Sequence, residues 1–298
     1  MKPSAFFVAS ALAIVGPVAH AQDLSLIPEQ GEQPLVKRPG GFHFQLMPKA
    51  FTSNPQIEMT VFSERTEYGR TLPEPSPENP AYYVVQSQGY QPMGSSTPRE
   101  HPPEHDQIDA LLQGVLEKRG FLPARELTRP PTLALFYHWG SHSGIDIRDV
   151  LDTPELMDLH DRDILQRARL VGGKALVEKI SRQLAYGVPL FERTPKEEHL
   201  RYQLHHNLYY VVVSAYDFSL LAQGERKLVW RTTLTVNDQG VSMKETLPPL
   251  IVSAMDFFGR DTGESVALQR RITRGKVTLG PLMIIGEVTP PPPSPSAK

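Results

Sequence analysis

Three residues ahead of the first clear helical pattern have the types and spacing of a zinc-peptidase site. His101, Glu104 and His105 fit the pattern H-x-x-E-H, in which two histidines one helical turn apart bind zinc and the glutamate acts as base. That geometry requires a continuous helix, whereas Pro102 and Pro103 place His101 at or before the helix start. We therefore keep a metal-dependent hydrolase as the alternative hypothesis and predict no cofactor.

A second polar group follows a strand-like run. His138, Trp139, Ser141, His142 and Ser143 lie within six residues, where a strand ends and a loop begins. Side chains leave the core at such places, and binding sites are often built there. We predict that this group lines a site for a small polar or sugar-like ligand. In the alternative hypothesis, His138 and His142 would serve the hydrolase.

A third group lies on a predicted helix. His160 and Asp161 flank its apolar stripe, so the sequence predicts a polar pair on that helix face. A carboxylate in such a place is costly unless it is paired, and we expect a partner such as Arg162, Arg167 or His160. The favoured interpretation is a salt-bridged helix rim rather than a metal site.

The N-terminus has the layout of an export signal. Lys2 precedes a largely apolar run over 5–19, and the small residues Ala19 and Ala21 form an A-x-A-like cleavage site. We expect residues 1–21 to be a signal peptide and the protein to be periplasmic or secreted in a bacterial envelope. The run is too short for a comfortable membrane span, and no later stretch reaches 18 apolar residues.

Composition excludes several function classes. The chain has 298 residues with a formal net charge of −2, which argues against a nucleic-acid partner. It contains no cysteine, so disulfides, iron–sulfur sites and thiol catalysis are excluded. Hydrophobic residues make up 40% of the chain, which is enough for a packed core.

The 29 prolines divide the chain, because dense proline is incompatible with central strands and helix interiors. We predict an extended leader over 22–48, one α+β domain over 49–286 and a proline-rich tail without structure over 287–298. The domain is expected to contain proline-rich loops and a mostly antiparallel sheet with helices on one face. A helical insertion is predicted over 153–186. Gly172–Gly173 interrupts its pattern, so the segment forms either two packed helices or one broken helix. Strands are predicted at 57–62, 81–86, 132–139, 208–218, 227–236 and 277–285, and further helices after Pro103, after Thr194 and over 247–258.

The order of these segments resembles a family of small bacterial envelope lipoproteins that carry a domain of unknown function. The segments are IDALLQGVLEKRGF, PTLALFYHWG, YYVVVSAYDF, KLVWRTTLTV and LPPLIVSAMDFFG, within residues 57–258. The resemblance implies a helix that turns into a strand, then a hairpin whose second strand bears a tryptophan, then a C-terminal helix. It also implies an envelope location but no activity. This chain differs from the family in having no cysteine to carry the lipid.

These observations favour an exported, non-enzymatic binding or envelope-associated module. Its expected partner is a small ligand or an envelope protein. The alternative is the hydrolase that would use His101, Glu104 and His105, or His138 and His142.

Overall fold

Alternating and continuous apolar segments build a single sheet of seven strands. The computed structural model describes residues 49–95, 102–124, 129–145, 153–187 and 194–274. The strands are β1 (Gln56–Arg65), β2 (Ala81–Tyr90), β3 (Phe121–Pro123), β4 (Leu133–His142), β5 (Leu208–Asp217), β6 (Leu228–Asn237) and β7 (Val266–Arg271). Within the described residues their order in the sheet is β3-β2-β4-β5-β6-β1-β7.

The α+β class is confirmed, but the sheet is mixed rather than mostly antiparallel. Strand β2 pairs in parallel with both β3 and β4, whereas the other pairs are antiparallel. The parallel pairing of β2 with β3 follows from the helix between them. A helical crossover carries the chain back to the end of the sheet at which the preceding strand began, so the next strand runs in the same direction. The predicted proline-rich loops overlap the connection between β1 and β2, and the predicted tail lies outside the described residues.

Helices cover both faces of the sheet, so the prediction of helices on one face was wrong. Strand β5 is buried along eight consecutive residues, as expected for a central strand that is packed on both sides. The helices are α1 (Glu67–Thr71), α2 (His105–Lys118), α3 (Pro154–Tyr186), α4 (Pro195–His205), α5 (Phe218–Ala222) and α6 (Met243–Ser253), with 3₁₀ turns at Lys49–Phe51 and Met255–Phe257. On one face α2 and α6 contribute to the main core, and on the other α3 and α4 pack against Leu208.

Helix α6 begins four residues before its predicted start at Leu247. The Ser242 hydroxyl accepts a hydrogen bond from the Glu245 amide, and the Glu245 carboxylate accepts one from the Ser242 amide. This capping box satisfies N–H groups at the first turn, and Pro248 and Pro249 therefore lie inside the helix. The predicted strand over 277–285 lies outside the described residues, whereas β7 was not predicted.

Helix α3 is one broken helix, one of the two forms that its sequence allowed. It begins after Thr153 and has non-helical backbone at Gly172 and Gly173. Gly173 has φ +63°, and a side chain there would collide with the Phe62 ring, so glycine lets α3 pass close to β1. No helix in the described ranges has the length and apolarity that a membrane span requires.

Candidate binding groove

A groove lies between the sheet and the middle of α3. It has a volume of about 800 Å³. Its floor comes from five neighbouring strands, and its walls come from α3 and from the α5 region. Arg169, Leu170, Lys174 and Val177 line the α3 side, and Arg226, which follows α5, also lines the groove. We call this feature the groove.

The register of the sheet places one row of side chains across the groove floor. Gln86 pairs with Phe136, Phe136 with Ser214, Ser214 with Arg231, and Arg231 with Glu64. Directly paired residues point to the same face of a sheet, so the row crosses β2, β4, β5, β6 and β1 in turn. It combines an aromatic ring, two neutral polar groups and one charge of each sign.

A second row lies two residues along each strand. His138 pairs with Val212, and Val212 pairs with Thr233, which pairs with Phe62. The His138 ring stands edge-on to the Tyr210 ring, with 5.8 Å between centroids. Burial and the positive charge of Arg231 lower the pKa of His138. The imidazole is therefore neutral at pH 7 and offers one donor and one acceptor.

The groove is lined by more positive than negative charge. Its cations are Arg169, Lys174, Arg226 and Arg231, whereas Glu64 is the carboxylate residue among its lining side chains. Lys174 Nζ lies 3.7 Å from Oε1 of Glu178 on the same helix. Within the described segments, no carboxylate oxygen comes within 4.0 Å of the three arginines. The groove therefore favours negative charge.

A buried polar cluster lies on the same face of the sheet, earlier along α3. Its buried members are His142 at the end of β4 and Asp163 and Arg167 on α3, and the exposed residues Gln166 on α3 and Ser95 after β2 bond to them. His142, Asp163 and Arg167 are each at most 2% exposed. Buried polar groups of this kind must satisfy one another, and the hydrogen bonds show how they do.

The hydrogen bonds define the tautomer of His142. Arg167 Nε donates to His142 Nδ1 at 3.2 Å, so Nδ1 carries no proton and the ring proton lies on Nε2. Nε2 then donates to Gln166 Oε1 at 3.0 Å. Burial, followed by the charge of Arg167, lowers the pKa of His142 to about 4. Arg167 Nη1 also donates to the Leu204 carbonyl at 2.9 Å, so Arg167 connects β4, α3 and α4.

Asp163 joins α3 to two loops. Its Oδ1 accepts from the amide and the hydroxyl of Ser95, both at 3.1 Å, and its Oδ2 accepts from the Ile145 amide at 3.2 Å. Gly144 lies so close that a β-carbon there would collide with the Arg167 guanidinium. The cluster is therefore closely packed, and its hydrogen bonds hold α3 against the sheet.

The structure divides the predicted ligand group between different surroundings. His138 lines the groove and His142 belongs to the buried polar cluster. Trp139 points to the other face and is part of the main core, and the Ser141 hydroxyl lies 3.0 Å from the Tyr90 hydroxyl. The Ser143 amide donates to the Met93 carbonyl. Alternation along β4 separates these side chains, because neighbours in a strand point to opposite faces.

Two residues of the predicted zinc site, Glu104 and His105, lie at the start of α2. His101 is outside the described residues, Glu104 precedes the helix, and His105 is its first residue. His105 Nδ1 lies 3.3 Å from Asp109 Oδ2, and its ring is 5.4 Å from the Trp139 ring. The described ranges contain no group of three or more His, Cys, Asp or Glu residues that could hold a metal ion.

The predicted helix-face pair has two different surroundings. His160 is buried, with Nδ1 3.2 Å from the Ile145 carbonyl oxygen and its ring stacked at 6.5 Å on His205. Asp161 is only half-buried. The fully buried carboxylate of this segment is Asp163, which was not singled out.

Sequence reasoning also missed Arg169, Lys174 and Arg231. The polar alternate positions of β6 were a signal, since Arg231 and Thr233 share the face opposite Trp230. The contact between β6 and α3 joins segments that are distant in the sequence, and periodicity alone does not show such a contact.

Comparisons with known proteins give distant structural similarities. No family model and no curated protein matches the chain. A PDZ domain protein from Parabacteroides distasonis is similar at 9% identity and TM-score 0.32, over 73% of this chain and 39% of that chain. A PelC dodecamer from Paraburkholderia phytofirmans is similar at 12% identity and TM-score 0.29, over 65% of this chain and 93% of that chain. This chain thus spans well under half of the first, and both TM-scores are too low to show a shared fold.

Proposed function

We propose that this protein is an exported, non-enzymatic binding module of the cell envelope that takes a small ligand into the groove. The observation that carries the proposal is the groove itself, with about 800 Å³ between the sheet and α3. Small-molecule sites in proteins usually have volumes of about 300–1,000 Å³ and combine apolar surface with a few placed polar groups.

The lining supports binding by contact and hydrogen bonding. Phe136, Val212 and Leu170 supply apolar surface, while His138 and Ser214 supply polar groups. The floor belongs to rigid strands, which hold side chains more precisely than loops do. These features serve recognition of a ligand without a chemical step.

Dye titration tests the groove as the binding surface. Val177 on α3 lines the groove, so Val177→Trp should fill part of it and weaken binding of a small amphipathic dye by about tenfold. The dyes are phenylnaphthylamine, which is uncharged, and anilinonaphthalene sulfonate, and fluorescence follows their saturable binding. Leu184→Trp is the control, because Leu184 is a partly exposed residue on the same helix outside the groove lining. The proposal is wrong if neither dye saturates, or if both variants bind as the parent protein does.

Export gives a separate prediction. When the full-length chain is expressed in a bacterium, cleavage after Ala21 should yield a mature protein that begins at Gln22. Intact mass and N-terminal sequencing of the periplasmic fraction and the medium measure this. Ala21→Arg places a large charged residue at the cleavage site and should leave the precursor uncleaved. Recovery of the parent protein only in the cytoplasm, with residues 1–21 attached, would contradict export.

A further inference from the structure

We infer that the groove selects a small molecule with an acidic group on an apolar body, and that Arg231 binds the acidic group. This inference rests on the proposed function and names the class of ligand. It follows from the charge of the lining, the position of Arg231 and the distribution of apolar side chains.

The charge of the groove is opposite to that of the chain. Four cationic side chains and one carboxylate line it, and Lys174 among the cations is paired with Glu178, whereas the whole chain has a formal charge of −2. General basicity therefore does not explain the groove. Like charges gathered in one groove repel one another, and an anionic ligand relieves that repulsion.

Arg231 is placed as an anchor. It lies in the floor on β6 and is half-buried, and its Nε donates to the Ser214 hydroxyl at 3.0 Å. Glu64 is opposite on β1, yet no ion pair forms between them within 4.0 Å. In the described ranges no acceptor bonds the two terminal nitrogens of Arg231. A guanidinium held through Nε presents a fork that suits a carboxylate, phosphate or sulfonate.

Apolar side chains beside Arg231 suit the body of the ligand. The Phe136 and Tyr216 rings meet edge to face, with 5.6 Å between centroids, next to Ser214 in the floor. Leu170 and Val177 face them from α3. An acidic group at Arg231 would therefore continue into an apolar segment over the two rings, as in an aromatic or fatty acid.

The position of the groove favours a single molecule over a membrane surface. Arg231 lies on β6, a strand that α3 contacts, so a flat bilayer would meet the helix before it met the guanidinium. We therefore commit to a free small acid as the occupant.

Two dyes that share an aromatic frame separate charge from shape. Anilinonaphthalene sulfonate has the sulfonate that phenylnaphthylamine lacks, and we expect it to bind about tenfold more tightly in low salt. Arg231→Gln should remove about that tenfold for the anionic dye and change binding of the uncharged dye by less than about twofold. Arg182→Gln is the control, because Arg182 is an exposed cation of α3 outside the groove lining. Arg169 is an exposed residue of the groove lining, and Arg169→Gln should weaken binding of the anionic dye by about threefold. This variant replaces Arg231→Gln in the test if Arg231→Gln lowers the melting temperature of the protein.

The outcomes distinguish this inference from the proposed function. The inference of an acidic ligand is wrong if the two dyes bind equally, or if Arg231→Gln and Arg169→Gln leave the affinity for the anionic dye unchanged. The groove as a binding site is then still tested by Val177→Trp. Failure of both dyes to bind overturns both proposals. Vesicles of anionic phospholipid should not bind, and arginine-dependent vesicle binding would overturn the free acid as occupant.

Discussion

Replacing Arg167 with methionine is expected to lower the free energy of unfolding by about 3–5 kcal/mol at pH 7. Arg167 is 2% exposed, and its guanidinium donates to His142 Nδ1 and to the Leu204 carbonyl. Methionine would fill much of the space but would leave both acceptors unpaired. It would also remove the buried positive charge near the Asp163 carboxylate. A buried charge without compensation is among the costliest changes in a folded protein.

Urea unfolding measured by circular dichroism checks this value. Arg169→Met is the matched control, since Arg169 is exposed two residues along α3 and should change stability by no more than about 0.5 kcal/mol. A loss below about 1 kcal/mol for Arg167→Met would mean that the buried polar cluster does not hold α3 to the sheet.

Acid is expected to destabilise the protein between pH 6.5 and pH 4, with His142 as a main cause. The folded state holds this ring neutral, with its pKa lowered from 6.5 to about 4 by burial and by Arg167. Below pH 6.5 the unfolded chain binds a proton that the folded protein does not, so stability falls as the pH falls through that window. The loss from His142 should approach about 3 kcal/mol near pH 4. Burial lowers the pKa of His205 as well, which adds a loss of the same sign.

His142→Gln tests the assignment, because glutamine can accept from Arg167 and donate to Gln166 but does not titrate. Its free energy of unfolding should depend less on pH between 6.5 and 4 than that of the parent protein. His138→Gln is the comparison, since His138 is half-buried and its pKa is also lowered. An undiminished pH dependence in His142→Gln would show that other groups cause the acid sensitivity.

Much of the local structure was predictable from the sequence because its signals are local. The β-branched runs of β5 and β6 and the i, i+3, i+4 spacing in α2 fall where the structure has these elements. The parallel pairing of β2 was missed, because pairing direction depends on where the chain returns after α2. The start of α6 was missed because Pro248 and Pro249 were placed in its first turn, whereas the capping box of Ser242 and Glu245 starts the helix earlier.

The candidate site was predictable only in part. The sequence predicted a polar pair at His160 and Asp161, whereas the fully buried carboxylate of this segment is Asp163, which lies in one cluster with Arg167. Proximity in sequence suggested that His138 and Trp139 share a site, whereas alternation places them on opposite faces. The row from Phe136 to Arg231 depends on the register of three strands, which no local pattern specifies.

The most direct test of the groove as the binding site is a methyl NMR titration with anilinonaphthalene sulfonate. If the dye occupies the groove, saturable shifts should concentrate on the methyl groups of Leu170, Val177 and Val212, which line it. Val61 and Val211 in the main core on the other face should move little. Saturable shifts centred on Val61 and Val211, or no saturable shifts anywhere, would contradict the groove as the binding site.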